Sequence, residues 1–227
     1  MTLFSDRQDA GRKLAERLAD YEGREDTLIL ALPRGGLPVA LEVAKKLRAE
    51  LDILIVRKLG VPGHEELAMG AIASGGVRYL NEHLVASLGI PEHRIERTTA
   101  DEQAELKRRE RLYRGDRPPV EVRGRTVILI DDGLATGATV RAGIAALKEL
   151  EPARLIVAVP TAPKETCESL KNDVDEVICL ATPAPFMAVG QSYRHFPQTS
   201  DEEVKLILDE AATIKEADRT DSARAGR

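Results

Sequence analysis

The chain has 227 residues, 43% of them hydrophobic, and a formal net charge of -5. That length supports one α/β domain with a substantial core, and the acidic balance argues against a general nucleic-acid binder, which would carry a basic face. No apolar run approaches the roughly 20 residues that span a bilayer, and the opening MTLFSDRQDAGRKL has no apolar signal-peptide core, so a soluble cytoplasmic protein is expected.

Ser5 or Asp6 is placed to cap a first helix that carries Ala10, Leu14 and Leu18 on one face. Thr27–Leu32 is a continuous apolar run, the signature of a buried parallel strand. It ends at Pro33-Arg34-Gly35-Gly36, and a helix is expected over Leu37–Leu47. Asp52–Val56 reads as a second buried strand that ends in the basic pair Arg57-Lys58. Glycines then punctuate two short strand candidates, Leu67–Ala73 and Val77–Leu80, which suggests a β-hairpin excursion with a flexible loop over about 60–76.

Glu92–Tyr113 is dense in i,i+4 acid–base pairs and reads as a mostly exposed helix. Val127–Ile130 is a third buried strand, followed by a helix over Ala138–Leu150. The pattern repeats in strand Leu155–Val159, a helix near Lys164–Lys171 and strand Val174–Cys179. Ala181–Thr199 is irregular, a last helix spans about Asp201–Ile214, and the polar Lys215–Arg227 is expected to fray. Repeated β-α crossovers imply a single α/β domain, a Rossmann-like, mostly parallel sheet with helices on both faces. Cys167 and Cys179, without a C-x-x-C spacing, read as two buried thiols.

The chemistry concentrates in VILIDDGLATGAT, Val127 to Thr139. A buried strand delivers two carboxylates to its C-terminal edge, where open α/β sheets bind ligands. A turn with Gly133 and Gly137 leads into a helix, so backbone N–H groups of Ala135–Thr139 and the helix dipole form an anion site suited to a phosphate monoester. Asp131 and Asp132 would repel that phosphate and suit ribose hydroxyls or a magnesium ion reached through water. Neither a P-loop lysine motif nor a G-x-G-x-x-G fingerprint is present.

This segment resembles the 5-phosphoribosyl-1-pyrophosphate (PRPP) signature of the type I phosphoribosyltransferases, and the likeness extends over about Leu28–Leu180. The resemblance implies that fold, with a core of about 28–180, a flexible loop and a small hood over about 181–199. It implies that Asp131 and Asp132 hold the ribose hydroxyls and that Ala135, Thr136, Gly137, Ala138 and Thr139 hold the 5′-phosphate. Pro33-Arg34-Gly35-Gly36 resembles the family's pyrophosphate turn, where a strained or cis peptide would be unsurprising. Arg34 and Lys58 would be the pyrophosphate cations, although Lys58 also reads as an ordinary surface lysine. His64, Glu65 and Glu66, near the loop tip, are either solvated or contact substrate on closure, and Glu65 or Glu66 is the candidate general base. Ala135 stands where the hypoxanthine–guanine branch carries an aspartate.

The acceptor would lie under the hood, which offers Phe186, Met187, Val189, Tyr193 and Phe196. These either form a stacking pocket or pack the last helix as a satellite core. The expected activity is Mg²⁺-dependent transfer of 5-phosphoribosyl from PRPP to a small nitrogenous acceptor. The alternatives are a regulator that senses PRPP or a nucleotide without catalysis, and a hydrolase with water as acceptor. Neither a nucleic-acid nor a membrane partner is expected, and a homodimer is left open.

Overall fold

Five short strands carry the centre of the computed structural model, and their register follows from which residues are wholly apolar. The structure describes residues 2–225, and the side chains of these other than residues 66 and 215–225. Strands β1 (Thr27–Ala31), β2 (Glu50–Ile53), β6 (Thr126–Ile130), β7 (Arg154–Thr161) and β8 (Glu176–Ala181) form one sheet of order β2-β1-β6-β7-β8. Every pairing in it is parallel.

The alternation of side chains builds two cores. Ile29, Ala31, Ile128, Ile130, Ile156 and Ala158 face one way, against helices α1 (Arg7–Arg17), α2 (Gly36–Leu47), α4 (Glu92–Arg114) and α7 (Asp201–Ala225). Leu28, Leu30, Val127, Leu129, Leu155 and Val157 face the other way, against α5 (Ala138–Lys148) and α6 (Lys164–Leu170). Both faces are covered, which is why these strands read as unbroken apolar runs. The α/β architecture is the one expected.

The sheet order also fixes where a ligand site can open. From β1 the chain moves outward to β2, then returns to the opposite side of β1 as β6. The order therefore reverses between β1 and β6, and the crevice outside their carboxyl ends is the topological switch point. The turn after β1 is Pro33–Gly36, and the turn after β6 is Asp131–Gly137.

The elements depart from the expected ones at several points. The second strand is β2, Glu50–Ile53. The chain then passes through Leu54 and Ile55 into β3 (Val56–Val61), which belongs to a separate antiparallel sheet β3-β4-β5. Lys58 therefore lies within that hairpin, paired with Ala71, and not at the end of a parallel strand. The hairpin excursion is as expected, its strand candidates appearing as β4 (His64–Ala73) and β5 (Val77–Leu80), with short turns at 62–63 and 74–76. A short helix α3 (Glu82–Leu88), capped by the Asn81 side chain, was not expected. The last helix continues to Ala225 where fraying was expected, and residues 226–227 lie outside the described residues.

A buried polar hub ties the antiparallel sheet to the parallel one. Arg114, at the end of α4, donates through Nε to both Asp52 oxygens, at 3.0 and 3.1 Å, and reaches Ser74 Oγ at 3.4 Å. Both Arg114 and Asp52 are buried. Neither cysteine is in a disulfide; Cys167 is buried and Cys179 half-buried. Among the described residues, no helix is long and apolar enough to cross a membrane.

Candidate functional site at the switch point

The two turns at the switch point touch because two glycines let them. A Cβ added at Gly36 would sit 2.8 Å from the Ile130 carbonyl oxygen and 3.1 Å from Asp131 Cα. One added at Gly35 would fall on Asp132 Oδ2 and lie 2.6 Å from Asp132 Cγ. The absence of side chains thus brings the Pro33–Gly36 turn directly against the paired acids. The Leu32 N–H donates to the Ile130 carbonyl at 2.9 Å and holds the two turns in register. The Pro33–Arg34 peptide is cis.

The paired carboxylates each keep one oxygen occupied by the protein. Asp131 Oδ1 accepts the Asp132 N–H at 2.9 Å, and Asp132 Oδ2 accepts from Arg7 Nε at 2.8 Å. Among the described residues, Asp131 Oδ2 and Asp132 Oδ1 accept no hydrogen bond, and neither belongs to the buried unsatisfied atoms, of which Thr27 Oγ1 is the one described. The site therefore presents two adjacent open carboxylate oxygens. Burial pushes both carboxyls above the ordinary range; the neighbouring Asp132 raises Asp131 further, whereas the Arg7 guanidinium holds Asp132 back.

Beyond the acids, the turn is shaped for an anion. Gly137 has φ +74°, a left-handed conformation that favours glycine, and it caps the N-terminus of α5. The first helical bond beyond it is Arg141 N–H to the Gly137 carbonyl. Among the described residues, the N–H groups of Ala135, Thr136, Gly137, Thr139 and Val140 have no acceptor, and Ala138 donates to Thr136 Oγ1 at 3.4 Å. Ala135, Thr136, Ala138 and Thr139 are exposed. Unpaired N–H groups at a helix N-terminus attract a phosphate. Thr166 of α6 holds the rim in place by donating to the Ala135 carbonyl at 3.0 Å.

The other expected residues are placed unevenly. Arg34 follows β1 directly and is engaged with Asp201, at the start of α7, at 3.6 Å. Lys58 is exposed and, among the described residues, makes no ion pair. It shares the face of Val56, which packs against the α5-side core. Arg57 points the opposite way and is tied to Glu102 of α4 at 2.6 Å, so the expected basic pair is split across the ribbon. Glu65 is exposed on β4, and the Glu66 side chain lies outside the described residues.

In the hood, Tyr193 and Phe196 belong to a small core, which packs the N-terminal segment and α1 rather than the last helix that the satellite-core reading named. Tyr193 is buried, stacks on Phe196 at 4.7 Å and meets Phe4 at 5.4 Å. Its faces are thus committed within the protein, which corrects its assignment to an open acceptor pocket. Its hydroxyl donates to the Asp132 carbonyl at 2.5 Å. Val189 lies beside the acidic turn, with Cγ1 2.5 Å from the position a Cβ would take on Gly133. Phe186 is half-buried and Met187 exposed.

Arg7 was missed. It continues the Ala10–Leu14–Leu18 stripe backwards by one turn, so it lies on the buried face of α1. A charge on an apolar stripe needs a buried partner, and that was the available signal.

Known proteins resemble this chain in sequence and in fold. A Mycobacterium tuberculosis protein, provisionally named a phosphoribosyl transferase, is 47% identical over 211 residues, which are 93% of this chain and 47% of that protein. The chain thus spans about half the length of that curated relative. The bifunctional protein PyrR of Chloroflexus aurantiacus is 30% identical over 142 residues, 60% of this chain and 72% of that protein. The crystal structure of TT1426 from Thermus thermophilus superposes with a TM-score of 0.84 at 42% identity, covering 92% of this chain and 99% of that one. With residues 5–193 matched by the phosphoribosyl transferase domain, the chain belongs to that family.

Proposed function

We propose that the chain binds PRPP together with Mg²⁺ and transfers its 5-phosphoribosyl group to a nitrogen nucleophile, releasing pyrophosphate. The observation that carries this reading is the contact between the two turns. It sets an open helix N-terminus, two open carboxylate oxygens and a cation-bearing turn along one crevice. A phosphate, a vicinal diol and a diphosphate are complementary to those three surfaces in that order.

In this reading the N–H groups of 135–139 hold the 5′-phosphate, with the Thr136 and Thr139 hydroxyls beside them. Asp131 Oδ2 and Asp132 Oδ1 accept from the ribose hydroxyls. Arg34, Gly35 and Gly36 receive the pyrophosphate, and Lys58 reaches it from the hairpin. The C1–O bond to pyrophosphate breaks as the C1–N bond to the acceptor forms, and the acceptor's proton passes to a base, for which Glu65 is the described candidate. The cations stabilise charge that develops on the leaving oxygen. Closure of the hairpin keeps water from C1.

Among the described residues, no cluster of three or more His, Cys, Asp or Glu could cage a metal. A magnesium ion would be held mainly by diphosphate oxygens and water, with the Asp131 and Asp132 carboxylates as the protein groups that would meet it through water. Magnesium would supply charge neutralisation on the diphosphate.

The test is to incubate the protein with Mg²⁺, PRPP and each nucleobase in turn and to follow pyrophosphate release. Base-dependent release is expected, and Lys58→Ala should slow it while leaving the melting temperature unchanged, because that side chain is exposed and, among the described residues, makes no ion pair. Tight PRPP binding without turnover on any base would instead identify a sensor.

A further inference from the structure

Asp132 is gripped from parts of the chain that no phosphate motif includes. Arg7, from α1, is 9% exposed and spends its guanidinium on three contacts. Nε donates to Asp132 Oδ2 at 2.8 Å, Nη1 donates to the Pro197 carbonyl at 2.6 Å, and the plane stacks on the Phe196 ring at 3.8 Å. Phe196 in turn stacks on Tyr193, whose hydroxyl holds the Asp132 carbonyl. The segment before α1 is fastened to the same place: the Leu3 and Phe4 N–H groups donate to the Ser192 carbonyl, Arg194 N–H to Phe4, and His195 N–H to Ser5.

From this convergence, and resting on the PRPP reading above, we infer that Arg7 is a positioning residue for the ribose subsite. It fixes one oxygen of Asp132 so that the other stands open toward a ribose hydroxyl. Geometry supports this at each step. A carboxylate can rotate about two side-chain bonds, and each freedom frozen before binding is one the ligand need not freeze. A charge-assisted contact in a buried setting is strong enough to select one rotamer. The Gly35 backbone packs against the same oxygen, since even a methyl group there would collide with Asp132 Oδ2. Among the described residues, Asp131 has no cation in contact, and its carboxylate accepts from its own neighbour's N–H. The two acids are thus unequal: Asp132 is held rigid by a remote helix, and Asp131 is held locally.

The division of labour within the Arg7 side chain makes the idea separable from a merely structural role. Only Nε meets Asp132, whereas Nη1 and the guanidinium plane serve the hood. A lysine can therefore replace the first contact but not the other two.

The experiment is titration calorimetry of the full chain with PRPP in Mg²⁺, then with ribose 5-phosphate and with pyrophosphate separately, on wild type, Arg7→Ala and Arg7→Lys. Arg7→Ala is expected to bind ribose 5-phosphate roughly ten- to a hundredfold more weakly, the span of one charge-assisted hydrogen bond, and to bind pyrophosphate as wild type does. Arg7→Lys should recover most of the ribose 5-phosphate affinity even though its melting temperature falls with the lost hood contacts. Equal losses for both ligands, unchanged ribose 5-phosphate affinity in Arg7→Ala, or no recovery in Arg7→Lys would each overturn the inference. Should Arg7→Ala not fold, Arg7→Lys against Asp132→Asn decides it: Lys near wild type and Asn weak supports positioning, and both equally weak overturns it. A wild-type protein that does not bind PRPP overturns the ligand reading itself, a result distinct from all of these.

Discussion

Replacing Gly35 by alanine isolates the contact that joins the two halves of the site. Gly35 has φ -62° and ψ -29°, a conformation that alanine adopts freely. On backbone grounds alone the change should therefore stabilise by about 0.4–1 kcal/mol, through the unfolded chain. Against that stands the collision of the new methyl group with Asp132 Oδ2 and, at 2.6 Å, with Cγ. Asp132 has two ways out. It can leave Arg7, which strands two buried charges at a cost of about 3–5 kcal/mol, or the turn can shift, at the overpacking cost of about 1–3 kcal/mol. The cheaper route wins, so the net change is a loss of about 1–2 kcal/mol. In a chain of this size that lowers the melting temperature by roughly 2–8 °C. Because a shifted turn opens the contact between the two halves of the site, PRPP affinity should fall about tenfold. Thermal denaturation and calorimetry measure both quantities. A Gly35→Ala protein that melts at or above the wild-type temperature and binds PRPP normally would refute the contact and the site built on it.

Arg114→Ala should destabilise by about 3–5 kcal/mol, because Asp52 is left buried without its cation, and replacing both partners with apolar residues should cost less than the single change; chemical denaturation decides between these. The Tyr113 hydroxyl donates to Asp201 at 2.6 Å, and burial followed by that carboxylate pushes its pKa from 10.0 up to about 12. A pKa raised in the folded state gives stability that is present below 10 and lost as pH climbs through 12. The denaturation midpoint of wild type should thus fall between pH 10 and 12 more steeply than that of Tyr113→Phe, and parallel curves would contradict the assignment.

How much of this was readable depended on how local the cause was. β1, β6 and β7 were legible because a strand covered on both faces carries an unbroken apolar run, and each of these does. Asp131, Asp132 and the Gly137 turn were legible for a related reason: strand end, acid pair, glycine and helix start are contiguous. The break between β2 and β3 was not, since Leu54 and Ile55 remain apolar and buried while the chain changes sheets. Periodicity does not register a change of partner. Lys58 was misplaced by the same blindness, because a basic residue after an apolar run looks alike at a strand end and inside a hairpin. The grip of Arg7 on Asp132 spans 125 positions, and only the oddity of an arginine on the stripe of Ala10, Leu14 and Leu18 hinted at it. The hood aromatics are compatible with a stacking surface or a small core, and the choice was made by Phe4, outside the segment.

Asp201 has a consequence for the rhythm of binding. It holds Arg34 at 3.6 Å while accepting from Tyr113. If Arg34 serves a diphosphate, that ligand does not meet a bare cation: it must take the arginine away from an acid already in place. The protein thereby carries its own competitor, a carboxylate on a helix end that waits beside the cation. Such a competitor weakens the hold on substrate and product alike, and it recaptures the arginine as the diphosphate departs. Neutralising it, as in Asp201→Asn, would be felt first as a slower exit of pyrophosphate.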